Sequence, residues 1–144
     1  MRNSEYGILS LIPNSALQIP NWQGVEMERE QLQHRTRQFA LRGIRLVESL
    51  PKGRTAEVVG RQLLRSATSV GANYRAACRA KSTADFIAKM GIVEEETDES
   101  LYWMELLIEA GIVKAELLEA LMKEADELLA MTVASINTAK KRRK

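Results

Sequence analysis

At 144 residues the chain fits one domain with a sizeable core, and 45% apolar content with only 5% aromatic asks for a core of mainly aliphatic side chains. A single cysteine, Cys78, excludes an intramolecular disulfide framework, and no apolar run reaches the ~18 residues a bilayer span needs, so a cytoplasmic protein with no membrane partner is expected. The net charge of +2 conceals segregation: residues 54–81 hold six basic and one acidic side chain, residues 82–113 one basic and eight acidic.

Residues 1–26 lack periodicity and carry Pro13 and Pro20, so they read as an irregular N-terminal arm. Glu5 before the short apolar patch and Pro13 within its end argue against a signal peptide. Two readings stay open: a leader with no partner, or an arm whose Ile8, Leu9, Leu11, Ile12 and Trp22 dock on a neighbouring subunit. Helical spacing starts at Met27. Over residues 27–50, Leu32, Phe39, Gly43, Leu46, Val47 and Leu50 recur on one side, Pro51 and Gly53 stop the run, and Arg29, Arg35, Arg37, Arg42 and Arg45 fall on the solvent side.

The second helix follows, with Thr55 placed to cap it, and shows three faces. Arg54, Arg61, Arg65, Arg75 and Arg79 lie within roughly 80° of one another, a basic stripe. Ala56, Val59, Leu63, Val70, Tyr74 and Ala77 make the apolar face opposite it. Gly60, Ala67, Gly71 and Cys78 form a flank of small residues that lets a second backbone come close. Ser66, Ser69 and Asn73 beside the core either register the bundle through hydrogen bonds or line a polar pocket.

Ser82 and Thr83 ahead of Asp85 signal the start of a third helix, whose core stripe is Phe86, Met90, Val93, Thr97, Leu101, Met104 and Ile108 and which Gly111 closes. Glu94, Asp98, Glu105 and Glu109 gather on one side of it. A further apolar surface of Ile92, Tyr102, Trp103 and Leu106 exceeds what one intramolecular seam requires, and these four are the candidate oligomer contacts. A fourth helix runs from about Lys114 to at least Ala139, burying Leu117, Leu118, Leu121, Ala125, Leu128, Leu129, Thr132 and Ile136. Residues 140–144 form a basic tail, Lys140, Lys141, Arg142, Arg143 and Lys144, that is either a solvated helix end or a phosphate contact.

Reactive constellations are missing. A di-metal carboxylate bundle needs Glu-x-x-His on two helices, and the lone histidine, His34, has no partner, so no metal and no cofactor is expected. No nucleophile, base and orienter set exists, no phosphate-cradling glycine loop joins a strand to a helix, and Cys78 reads as a packing residue.

The segments GRQLLRSATSVGANYRAACRAKSTADFIAKMGIVEEETDESLYWMELL and ADELLAMTVASI, within a match over about residues 32–139, resemble the bacterial four-helix-bundle proteins related to those encoded in intervening sequences of large-subunit (23S) ribosomal RNA genes. The resemblance implies an all-α, up-and-down four-helix bundle over residues 27–139 that assembles into a homopentameric ring. It also implies distant kinship with the accessory proteins of diversity-generating retroelements, which bind nucleic acid and a reverse transcriptase, and it brings no catalytic residues. The expected protein is therefore a non-enzymatic oligomer contacting RNA or DNA, or a nucleic-acid-processing protein, through Arg61, Arg65, Arg75, Arg79 and the tail. The alternative is a structural adaptor in which the acidic face of the third helix consumes the arginine stripe.

Overall fold

The computed structural model describes residues 22–143, with side chains from Met27 onward, so the contacts expected of Ile8, Leu9, Leu11, Ile12 and Lys144, and the side chain of Trp22, lie outside the described residues. Four helices make up the fold: α1 (Trp22–Glu48), α2 (Arg54–Cys78), α3 (Thr83–Glu109) and α4 (Ala115–Arg143). No strand occurs among the described residues, as the all-α reading expects.

α1 and α4 reach the two ends of the described residues. The first helix takes in residues 22–26, ahead of the start expected at Met27, although Gly24 and Val25 in that turn are poor helix formers. The last helix carries Lys140, Lys141, Arg142 and Arg143 within it, so these cations extend a helix whose C-terminal dipole favours them.

The turns follow from local chemistry. Ser82 caps α3, its Oγ accepting from the Asp85 backbone N–H at 3.0 Å, and the Asp85 carboxylate accepts in return from the Lys81 backbone N–H at 3.1 Å. Gly111 ends α3 in the left-handed region at φ 74°, where a side chain would be strained, and Ile112 donates back to the Leu107 carbonyl. Thr55 does not cap α2: Gly53 takes that position, with no side-chain cap bond, and Thr55 stands inside the first turn.

Each helix packs on the next in sequence, α1 meets α4 over a shorter stretch, and the diagonal pairs α1/α3 and α2/α4 make no close backbone approach, meeting only through the shared core. The centre is filled by Phe39, Leu63, Val70, Met90, Met104, Leu107 and Leu128, each at most 1% exposed, worth roughly 1.5–3 kcal/mol apiece on burial. The small flank of α2 faces α1. A Cβ added at Gly43 would lie 2.9 Å from the Ala67 Cβ, and one at Gly71 would lie 3.3 Å from the Thr36 carbonyl oxygen. Backbones this close leave no room for larger residues, which explains why the small side chains fall on that flank.

Between α2 and α3 the register is set by a buried hydroxyl pair. Ser100 Oγ donates to Ser66 Oγ at 2.9 Å, and Ser66 Oγ lies 3.2 Å from the Leu63 carbonyl. Ser69 and Asn73, both half-buried, donate to carbonyls one turn back on their own helix, at 2.7 and 2.8 Å, so all three polar groups already have partners.

The thinner α1–α4 seam is closed electrostatically. Arg35, expected on the solvent side, is half-buried and bidentate to Glu124, its Nε donating to Oε2 at 3.0 Å and its Nη2 to Oε1 at 2.6 Å, with a further bond from Nη2 to Glu127 Oε1 at 3.0 Å. The Glu124 carboxylate raises the guanidinium pKa above its ordinary value. Arg35 occupies the edge of the helix, where the spacing of one helix alone cannot distinguish solvent from a neighbouring helix. At the other end of this seam α1 and α4 splay, leaving a cavity of about 1070 Å³ lined by Leu46, Leu50, Val113 and Leu117. Leu117, expected in the core, is 72% exposed there, since α4 has only just begun and α1 has already ended.

Candidate nucleic-acid interface

All five arginines of the basic stripe on α2 are exposed. Arg54 stands apart at the start of the helix, and the other four divide into two groups. Arg61 donates from Nη2 to Glu57 Oε1 at 2.9 Å, one turn back on its own helix. Arg65 reaches α3, its Nη2 donating to Glu99 Oε1 at 2.6 Å and its Nη1 to Glu96 at 3.2 Å. That bond from Arg65 holds the Glu99 carboxyl below its ordinary pKa, while Glu99 also accepts from Trp103 Nε1 at 3.2 Å. The acids that consume the stripe are therefore Glu57, Glu96 and Glu99, and not the expected Glu94, Asp98, Glu105 and Glu109, which have no ion pair among the described residues. The physical reason is rotation. The packing of Ser66 on Ser100 turns Glu96 and Glu99 toward α2 and leaves the other acids outward.

Arg75 and Arg79 form the second group, with no acidic partner among the described residues. They border a shallow groove over Gly71, whose far wall on α1 holds Glu30 as well as Gln33, His34 and Arg37. The groove exists because Thr36 and Gly71 hold the two backbones in contact. Arg37 was expected only to be solvated, and a single-helix pattern has no means of showing that it shares a groove with the α2 arginines.

Antiparallel packing puts the last turns of α2 and of α4 at the same end of the bundle. One cavity there is lined jointly by Tyr74, Cys78, Lys81, Phe86, Met131 and Arg142. Arg75, Arg79 and Lys81 thus share an end with Lys140, Lys141, Arg142 and Arg143, none of which has an ion pair among the described residues. Tyr74 is buried beneath this end, and burial pushes its phenol above the ordinary tyrosine range, so it contributes no charge.

The expected oligomer contacts also separate. Ile92 is 40% and Tyr102 52% exposed. Trp103 and Leu106 are half-buried, Trp103 packing partly on the core and stacking edge-on against Tyr102 with ring centroids 5.0 Å apart. Among the described residues no three His, Cys, Asp or Glu side chains could hold a metal ion, and no helix is long and apolar enough to cross a membrane.

The family model for the 23S rRNA-intervening sequence protein matches residues 28–134, the whole of the packed bundle apart from the ends of α1 and α4. The chain belongs to that family. A solved member of the S23 ribosomal protein family from Bacteroides thetaiotaomicron VPI-5482, described as of unknown function, is similar at 34% identity and a TM-score of 0.71, over 76% of this chain and 97% of that one. No curated protein matches significantly. In this intervening-sequence family member the matched region ends before Lys140, so the cations of the last turns stand outside what the family model covers, whereas Arg75 and Arg79 stand within it.

Proposed function

We propose that this intervening-sequence protein is a cytoplasmic, non-enzymatic homo-oligomer, pentameric as the family resemblance implies, whose basic end contacts the phosphates of RNA or a ribonucleoprotein. The observation that carries the reading is the convergence of unpaired cations at one end: Arg75 and Arg79 from α2 with Lys140, Lys141, Arg142 and Arg143 from α4. Repeated around a ring, these clusters give a local positive field that a net charge of only +2 does not reveal. Arg61 and Arg65 are left out of the contact because Glu57, Glu96 and Glu99 already neutralise them. Such a surface recognises phosphate without base readout, so binding shows little sequence preference.

The same ion pairs favour one second reading, an adaptor with no nucleic-acid partner, in which the remaining cations serve solubility. Titration of labelled single-stranded RNA against salt separates the two. The first reading expects binding at low salt that weakens steeply, each neutralised phosphate adding roughly 0.7 to the log–log slope. Arg75→Ala with Arg79→Ala, and separately removal of residues 140–144, each flatten that slope, whereas Arg61→Ala leaves it unchanged. Absence of binding to RNA and DNA at low salt selects the adaptor.

A further inference from the structure

Two outward faces of this bundle carry exposed apolar side chains and opposite charge, and they point away from each other. On α1 the outer stripe holds Leu41 and Ile44, each 37% exposed, beside Arg37 and Arg45, and no acidic residue occurs anywhere from residue 31 to residue 47. On α3 the outer stripe holds Ile92 and Tyr102 beside Glu95, Asp98 and Glu105, and no basic residue occurs from residue 92 to residue 109. None of these charged groups has an ion pair among the described residues. Because α1 and α3 occupy diagonal corners with no close backbone approach and both stripes face outward, one chain cannot bring the two faces together.

We propose that copies of this chain join head to tail, the acidic-apolar face of α3 on one copy covering the basic-apolar face of α1 on the next. Charge decides between this and the symmetric alternatives. A two-fold contact through α3 sets unpaired carboxylates against their own copies, and one through α1 does the same with arginines, arrangements that cost several kcal/mol in like-charge repulsion. The pairing of unlike faces sets arginines against carboxylates and apolar side chains against each other.

Height supports the same pairing. The Gly43–Ala67 approach and the Ser66–Ser100 bond place Gly43 of α1 and Ser100 of α3 at about one level. Leu41 and Ile44 flank that level on one face, and Asp98 and Tyr102 flank it on the other. Since α1 and α3 also run in the same direction, rotation about an axis parallel to the helices brings one patch onto the other without sliding, which is what a closed ring requires. The contact adds Leu41, Ile44, Arg37 and Arg45 to the expected Ile92 and Tyr102. It leaves the α4 terminus uncovered, with Arg75 and Arg79 on α2 across the groove from Arg37.

The inference rests on the assembly half of the proposed function, and the test keeps the two apart. Full-length Ile44→Asp and Tyr102→Asp, both at exposed positions, are each expected to be monomeric by light scattering with their helical circular dichroism retained. Mixed in equal amounts, they are expected to form a one-to-one dimer and nothing larger, because each keeps the face the other has lost. Arg37→Glu with Arg45→Glu, which touches no core residue, raises the dissociation midpoint by about tenfold or more. A wild-type monomer at micromolar concentration overturns the assembly reading itself. Wild-type assembly that survives Ile44→Asp, or two monomeric variants that give no dimer on mixing, or a midpoint unmoved by the arginine reversals, overturns the pairing of faces while leaving assembly in place.

Discussion

Replacing a glycine by alanine at two helical positions should have opposite effects on stability, and the sign is set by the bundle. Gly91 in α3 has no heavy atom within 4 Å of where a Cβ would stand. Gly91→Ala therefore gains helix propensity alone, about 0.5–1 kcal/mol. Gly43 in α1 offers the same propensity gain, but its Cβ would lie 2.9 Å from the Ala67 Cβ, a contact with no flexible end to yield. The α1 and α2 backbones must separate, at a cost of about 1–3 kcal/mol for overpacking. The two variants should differ by that overpacking cost, which for a chain of this length is roughly 3–10 °C in the unfolding midpoint. The assay is thermal unfolding by circular dichroism at one fixed protein concentration, since assembly makes the midpoint concentration-dependent. Ala67→Gly added to Gly43→Ala should recover part of the loss, a positive coupling that Gly91→Ala lacks. If Gly43→Ala raises the midpoint as much as Gly91→Ala does, the close approach of α1 and α2 is refuted.

Arg35→Ala should cost about 1–2 kcal/mol, less than a fully buried charge-assisted pair because the partners keep some solvent contact. Most of that loss should vanish in a background already carrying Glu124→Gln, and additive effects in denaturant unfolding would mean the α1–α4 seam does not depend on this pair. Arg65→Ala should return the Glu99 carboxyl to the ordinary carboxylate range, read by carbon NMR of the side-chain carboxyls. Because the folded-state pKa of Glu99 is depressed, its stabilisation is present above the unfolded value of about 4.3 and is lost as pH falls through the folded value, so Arg65→Ala should also make the acid limb of the stability curve shallower. A Glu99 titration unmoved by the substitution would mean that the Arg65 bond is absent in solution.

The helices themselves could be read from the chain because each is specified by its own residues. Apolar spacing of 3.6 marks α1 to α4, Ser82 with Asp85 starts α3, and Gly111 stops it through a backbone conformation that only glycine adopts readily. The segregation of basic and acidic runs, and the small flank of α2, were equally visible, since both need only one helix laid on a wheel. Everything that depends on how two helices are rotated against each other was decided by tertiary packing. A wheel shows that Glu94, Glu96, Asp98 and Glu99 all leave the core stripe of α3, but only the Ser66–Ser100 contact turns Glu96 and Glu99 toward Arg65 and leaves Glu95 and Asp98 outward. Tertiary packing also moved Arg35 from solvent into the α1–α4 seam, and it left Leu117 uncovered where α1 ends before α4 is under way. It also brought the ends of α2 and α4 together, so that cations more than sixty positions apart in the chain share one end of the bundle. A single helix carries no information about its neighbour's azimuth, because that angle is fixed by the fit of side chains on both surfaces at once.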